Sequence, residues 1–279
     1  MLIDSHHHLW EYSAEEYGWI SDQMEVIRRS FGAAELRDVA AGSEVDGFIS
    51  VQARQTLEET DALLRVADSE PLILGVVGWV PLMSPEIADV LDQYADANRL
   101  CGVRHVVQDE PDDQFILGED FNRGVSQLLD RNLIYDVLIY ARHLGATIEF
   151  IDRHPQQPMV LDHIAKPTIH RQHFDNQWRG SFLELAKRDN ITCKFSGVVT
   201  EIRDSQWDIE TVRPYWDTAL EAFTPKRLMF GSDWPVCLLQ SEHSQWTNLV
   251  RELASELSPS EQEDFFANNA IQTYGLNHR

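Results

Sequence analysis

Met1-Leu2-Ile3-Asp4-Ser5-His6-His7-His8-Leu9-Trp10 opens the chain. This stretch decides the fold by what it contains and by what does not follow it. Apolar and small residues run straight into a histidine cluster without a linker, so a β-strand is expected to end in that cluster. Side chains alternate faces along a strand, which sends His6 and His8 one way and His7 the other. Two imidazoles on one side of a strand end make half of a metal site, or a pair of donors for a carbonyl. No Gly-rich phosphate fingerprint follows, which argues against a doubly wound dinucleotide-binding sheet. The run has three histidines set between Ile-Asp and Leu-Trp, unlike an affinity tag with its Gly/Ser linkers.

Seven further β-rich runs follow: Gly47 to Gln52, Leu72 to Val80, Cys101 to Val107, Ile134 to Tyr140, Met159 to Ile164, Ile191 to Gly197 and Arg227 to Asp233. Several are almost continuously apolar, as strands covered on both faces should be. Helical patterns separate them. Thr56 with Glu59 and Ser258 with Glu261 read as capping boxes. Ser84-Pro85 reads as an N-cap followed by proline at the first helical position. Phe121, Val125, Leu128 and Leu129 recur at helical spacing, as do Phe182, Leu185 and Ala186, and Trp216, Ala219, Leu220 and Phe223. Eight strands alternating with helices predict a single α/β domain over residues 1–279, a (β/α)8 TIM barrel. Residues 11–32 form an irregular insertion after strand one, and such loops sit over barrel active sites.

Composition narrows the function. The 279 residues carry 46 acidic and 23 basic side chains, a net charge of −23. That surface repels phosphate backbones and anionic lipids, which argues against nucleic-acid and membrane partners. No apolar run is long enough to span a bilayer, and no signal-peptide pattern leads the chain. Cys101, Cys193 and Cys237 are too few and too scattered for a disulfide framework, so a reduced, cytoplasmic setting is expected.

Barrel enzymes place their chemistry at the C-terminal strand ends. The unusual polar residues fall there: His6 and His8 on strand one, Gln52 on two, Trp79 on three, Arg104 and then Gln108 on four. Tyr140 follows on five, Asp162-His163 with Lys166 on six, Lys194 and Ser196 on seven, and Asp233-Trp234 on eight. Each alone is weak, and their convergence is the signal. For Arg104 and Lys194 the bland alternative is an internal ion pair with Asp162 or Glu201. For Trp79 and Trp234 it is ordinary core packing. If Arg104 faces inward, His105 faces outward.

Ile3-Asp4-Ser5-His6-His7-His8 resembles the Asp-x-His-x-His start of the amidohydrolase superfamily, and Phe230-Gly231-Ser232-Asp233-Trp234-Pro235 resembles its strand-eight aspartate segment. GVVGWV (Gly75 to Val80), VRHVVQDEPDD (Val103 to Asp113), VLDHIAKP (Val160 to Pro167), CKFSGVVTE (Cys193 to Glu201) and LMFGSDWPVC (Leu228 to Cys237) are similar to the sugar-lactone hydrolases of its amidohydrolase-related branch. The likeness runs to about Tyr274. It implies a hydrolase that opens an aldonolactone, with Asp233 as general base and His6, His8 and His163 polarising the carbonyl. Arg104, Lys194, Gln52, Gln108 and Tyr140 would bind substrate oxygens, and Trp79 and Trp234 would wall the sugar ring. The lysine on strand four and histidine on strand five that serve binuclear members are missing. The resemblance therefore implies no metal or one divalent ion, zinc by preference, on His6, His8, His163 and Asp233. The competing readings are a hydrolase of pyrone-dicarboxylate-like lactones or a related decarboxylase, and a catalytically silent binding barrel. The expected partner is a small-molecule lactone. The composition is also compatible with a homo-oligomer.

Overall fold

The computed structural model describes residues 1–276. Its eight strands are β1 (Ile3–His7), β2 (Gly47–Val51), β3 (Ile73–Gly78), β4 (Leu100–His105), β5 (Ile134–Val137), β6 (Met159–Leu161), β7 (Ile191–Phe195) and β8 (Leu228–Phe230). Each pairs in parallel with the next, in the order β1 to β8. A parallel bridge between His7 and Trp234 completes the cylinder, with His8 N–H donating to Trp234 O at 2.7 Å and Asp233 N–H to His6 O at 2.8 Å. The fold is the (β/α)8 barrel expected from the alternating pattern.

The strands are buried along nearly their whole length because helices cover them outside and packed side chains fill them inside. Ile3, Ile49, Val51, Val77, Cys101, Ile134, Val160 and Met229 form one interior cluster, joined by Ala267, Ala270 and Tyr274 from the C-terminal segment. The other strand face packs against the helices in a second, larger cluster. Among the described residues no helix is long and apolar enough to cross a membrane, and all three cysteines are buried.

The helices are α1 (Ala33–Ser43), α2 (Leu57–Ser69), α3 (Ile87–Asp92), α4 (Glu119–Val125), α5 (Leu144–Arg153), α6 (Asn176–Leu185), α7 (Ile209–Phe223), α8 (His243–Ala254), α9 (Pro259–Glu263) and α10 (Asn269–Tyr274). Thr56 caps α2 by accepting from Glu59 N–H, and Ser258 with Glu261 caps α9 in both directions. Three expectations shift. Glu59 does not return to Thr56; its carboxylate takes the Ala53 and Arg54 amides at 2.9 and 2.6 Å instead. Ser84-Pro85 lies ahead of α3, where Ser84 Oγ closes a turn onto Glu86 N–H and the helix begins at Ile87. Leu129 leaves α4 for a separate 3-10 turn and is exposed.

Every strand but β1 ends before its sequence run does. The surplus residues, such as Leu138 to Tyr140, Asp162 to Ile164 and Gly231 to Asp233, form the loops of the C-terminal mouth. The register of β1 slips by one residue against β2 between Asp4 and His7. This bulge lets Ile3 join the barrel interior while His6 and His8 still face inward higher up.

Candidate active site

Four side chains meet on the floor of the mouth. Nε2 of His8 lies 3.2 Å from Asp233 Oδ1, Nε2 of His6 lies 3.8 Å from it, and Nε2 of His163 lies 3.9 Å from it. The His6 and His163 rings are 4.3 Å apart between centroids. His7 points away, onto Ser50 Oγ at 2.7 Å and the Phe48 ring, as strand alternation requires.

The backbone is bent to achieve this convergence. His163, Ile164, Ala165 and Lys166 all have positive φ, between 47° and 60°, and Asp233 has φ 62°. A left-handed non-glycine residue costs roughly 1–2 kcal/mol, so four in a row need compensation. Ile164 and Ala165 are fully buried, Trp178 Nε1–H donates to Ile164 O at 2.8 Å, and Lys166 N–H donates to His163 O at 2.8 Å. Gly197 (φ 61°) passes so close that a Cβ there would meet the His163 ring at 2.5 Å and Asp233 Oδ2 at 3.1 Å. Asp4 ties the seam between β1 and β8: its Oδ1 accepts from Ser232 N–H at 2.8 Å and His6 N–H at 3.1 Å, and its Oδ2 faces His243 Nε2 at 3.0 Å.

Beneath the imidazoles lies a buried ionic layer. Arg104 Nη1 donates to Asp162 Oδ2 at 3.0 Å and to His6 Nε2 at 3.2 Å. Lys194 Nζ bridges Asp136 Oδ2 at 2.6 Å and Asp162 Oδ1 at 3.0 Å. Tyr274 Oη–H reaches Asp136 from below. Burial pulls the Lys194 ammonium down, but Asp136 and Asp162 outweigh it and leave it above its ordinary value. Burial raises Asp136 to about 6, against the pull of Lys194. Asp162 is held well below the carboxylate range because Lys194, His6 and Arg104 overcome its burial.

Burial also sets the floor groups. It lowers His163 to about 4, opposed by Asp233 and Asp162, and holds His6 well below its ordinary value despite Asp162. Both rings are therefore neutral at pH 7. Burial would raise Asp233, but the contacts from His163, His8 and His6 leave its carboxyl far below the usual range.

The donor set suits a cation. His8 Nδ1–H donates to Val51 O at 2.7 Å, which turns Nε2 of the ring toward the Asp233 carboxylate at 3.2 Å. A nitrogen and a carboxylate oxygen at that separation share a proton or a bound cation. His6, His8 and Asp233 lie close enough to share one ion, as do His6, Asp162 and His163. The backbone carbonyl behind His8 is the outer-shell partner that metal-binding imidazoles characteristically use.

Above the floor opens a cavity of about 570 Å³, within the range of small-molecule sites. His8, His163, Asp233, Arg104, Gln52, Gln108 and Lys166 reach its wall. Gln108 Oε1 and Arg104 Nε are buried without hydrogen-bond partners among the described residues. Four expected substrate contacts are placed elsewhere. Lys194 is fully buried below the floor in the ion pairs just described, and with Arg104 it realises the internal pairing with Asp162. Trp79, the residue after β3, turns outward, its Nε1–H 3.4 Å from His105 Nδ1 and its backbone N–H and C=O both held by the Thr60 hydroxyl at 2.8 Å. Trp234 is buried against Phe31 and His7. Tyr140 lies behind the wall, between Arg142 and Lys166. His105 faces outward onto Phe115 and Glu110.

The insertion supplies what the sequence reading did not assign. Reciprocal backbone hydrogen bonds between Trp10 and Phe31 close its ends, and Tyr17, Ile20 and Ile27 are buried under it. Trp19 stands on the cavity wall, 39% exposed, with its ring edge-on to Trp10. It is the one aromatic among the exposed large apolar side chains of the described residues. Arg54 latches the insertion to the barrel through Glu16 at 2.8 Å, the Tyr17 ring and Glu59.

A family profile described as amidohydrolase matches residues 3–276. The chain belongs to the amidohydrolase family. Two L-fucono-1,5-lactonases are similar to this amidohydrolase over nearly their full lengths. That of Burkholderia multivorans is 38% identical over 99% of this chain and 96% of its own. That of Burkholderia ambifaria is 32% identical over 98% and 95%. The crystal structure of a Burkholderia multivorans amidohydrolase with bound zinc superposes with a TM-score of 0.93 at 38% identity, covering 99% of each chain.

Proposed function

We propose that this amidohydrolase opens a sugar lactone, of the L-fucono-1,5-lactone type, to the free sugar acid. One observation carries the reading: an ionised carboxylate, Asp233, sits among three buried imidazoles at the foot of a cavity walled by glutamine amides, an arginine and an exposed tryptophan. Hydrolysis needs an activated water, stabilisation of the tetrahedral oxyanion and a proton for the departing alkoxide. Asp233 accepts a proton from water as the water oxygen bonds to the lactone carbonyl carbon. The same carboxyl then delivers that proton to the ring oxygen as the acyl–oxygen bond breaks. His6 and His163, kept neutral by burial, and the Arg104 guanidinium line the place where negative charge develops. The buried polar atoms of Gln108, Gln52 and Arg104 take the sugar hydroxyls, and Trp19 stacks on the apolar face of the ring.

His6, His8, His163 and Asp233 are the residues that would hold one divalent cation, and zinc fits their nitrogen and oxygen donors. When bound, such an ion supplies Lewis-acid polarisation of the carbonyl. We take residues 1–279 as one catalytic unit acting on a small neutral substrate.

The test is hydrolysis of a stereochemically diverse aldonolactone panel, with pyrone dicarboxylate as a comparison, before and after chelation. Preference for a six-membered sugar lactone supports the reading. Turnover confined to pyrone dicarboxylate, or none at all by folded protein, overturns it.

A further inference from the structure

We propose that Lys166 is the anion-recognition residue of this site: its ammonium holds the carboxylate that ring opening creates. The inference rests on the lactonase reading and extends it to product binding. Water addition converts an uncharged lactone into a hydroxy acid, which releases a proton and carries a negative charge at neutral pH. The cavity that must accommodate this anion already contains carboxylates, with Asp233 on the floor and Glu16, Asp109 and Glu110 on the wall. A chain of net charge −23 adds to the repulsion. A cation near Asp233 would offset that repulsion.

Of the cations on the wall, Arg104 is tied to Asp162 and Gln52, and Arg54 to Glu16. Lys166 alone has no carboxylate within ion-pair distance among the described residues. Its identified neighbour is the Tyr140 ring face, 5.7 Å from Nζ. Of the other lysines, Lys194 is paired with Asp136 and Asp162, and Lys187 with Glu184. Lys166 also closes the left-handed run that begins at His163, so one strained turn carries both a floor imidazole and this ammonium to the same cavity. Backbone strain of this kind persists where neighbouring structure fixes it, and it concentrates at ligand sites.

The experiment measures L-fuconate twice on the wild type, Lys166→Met, Lys166→Arg and Lys166→Gly: as an inhibitor of L-fucono-1,5-lactone hydrolysis, and by calorimetric titration. Lys166→Met is expected to weaken L-fuconate at least about ten-fold while KM for the uncharged lactone changes less than about three-fold. Lys166→Arg should recover most of the affinity. Lys166→Gly relieves the left-handed strain, so it should match or exceed wild-type thermal stability yet bind L-fuconate as weakly as the methionine variant. Unchanged L-fuconate affinity in folded Lys166→Met overturns the proposal, as does a wild type that hydrolyses the lactone without binding the acid. Lysine-dependent L-fuconate binding without any lactone hydrolysis would overturn the lactonase reading and leave the anion site standing. If the wild type neither hydrolyses nor binds, both fall.

Discussion

The floor groups His6, His8, His163 and Asp233 are at most 4% exposed and are held by strained backbone, a bulge and an ionic layer beneath them. The rim is made differently. Trp19 is 39% exposed, and the insertion that carries it is fastened by a half-exposed glutamate, an arginine and a ring contact. In the proposed reaction, chemistry at the floor depends on sub-ångström placement in a medium that magnifies charge, whereas recognition at the rim depends on surface shape. The two regions should therefore fail differently when altered.

The largest effect is expected below the floor. Lys194→Met leaves Asp136 and Asp162 buried without their shared cation, and removing one member of a buried pair costs about 3–5 kcal/mol. Denaturant unfolding should register that loss, while Trp19→Ala should leave the unfolding midpoint within error. Gly197→Ala comes next. Its Cβ must enter the space of the His163 ring at a left-handed position, so stability should fall by roughly 1–3 kcal/mol. A displaced imidazole should cost about 10²-fold in kcat with little change in KM. At the rim, Trp19→Ala should raise KM for the preferred lactone about five- to ten-fold and spare kcat, consistent with about 1 kcal/mol of ring contact.

The smallest expected effect is a pH dependence located at the latch. Burial pushes Glu59 up to about 7, against the Arg54 and Ala53 amides. The folded state thus keeps this proton more tightly than the unfolded chain, whose carboxyl titrates near 4.5. The contribution to stability is greatest below pH 4.5, declines as pH rises to 7 and is flat above. In Glu59→Gln the fall in melting temperature between pH 5 and pH 8 should shrink by about 2 °C. His163 should contribute no comparable change in activity over that window, because burial lowers it to about 4.

The same contrast explains what could be read from sequence. The barrel was legible because every strand run is apolar enough to be buried on both faces, and the floor because His6, His8, His163 and Asp233 occupy strand ends. Strand termini were overextended because mouth loops such as Leu138 to Tyr140 are themselves apolar. Lys194 was legible as inward-facing but not as low in the barrel. Its depth follows from its pairing with Met229, a residue of the interior cluster. Trp19 was hidden because an irregular insertion has no periodicity to aim its side chains. Trp79 and Trp234 stand at strand ends, where one residue of phase decides inside from outside and a strand pattern does not settle their direction. The ionic layer needed the pairing of β4 with β5 and the arrival of Tyr274 from the far end of the chain, neither of which a local pattern contains.

The measurement that bears most directly on this account is steady-state hydrolysis of L-fucono-1,5-lactone by wild type and Asp233→Asn, with circular dichroism to verify that the variant is folded. The account predicts a fall in kcat of about 10³-fold, in the range for loss of a general acid–base group, with the fold retained. Turnover within a few-fold of wild type by folded Asp233→Asn would contradict it.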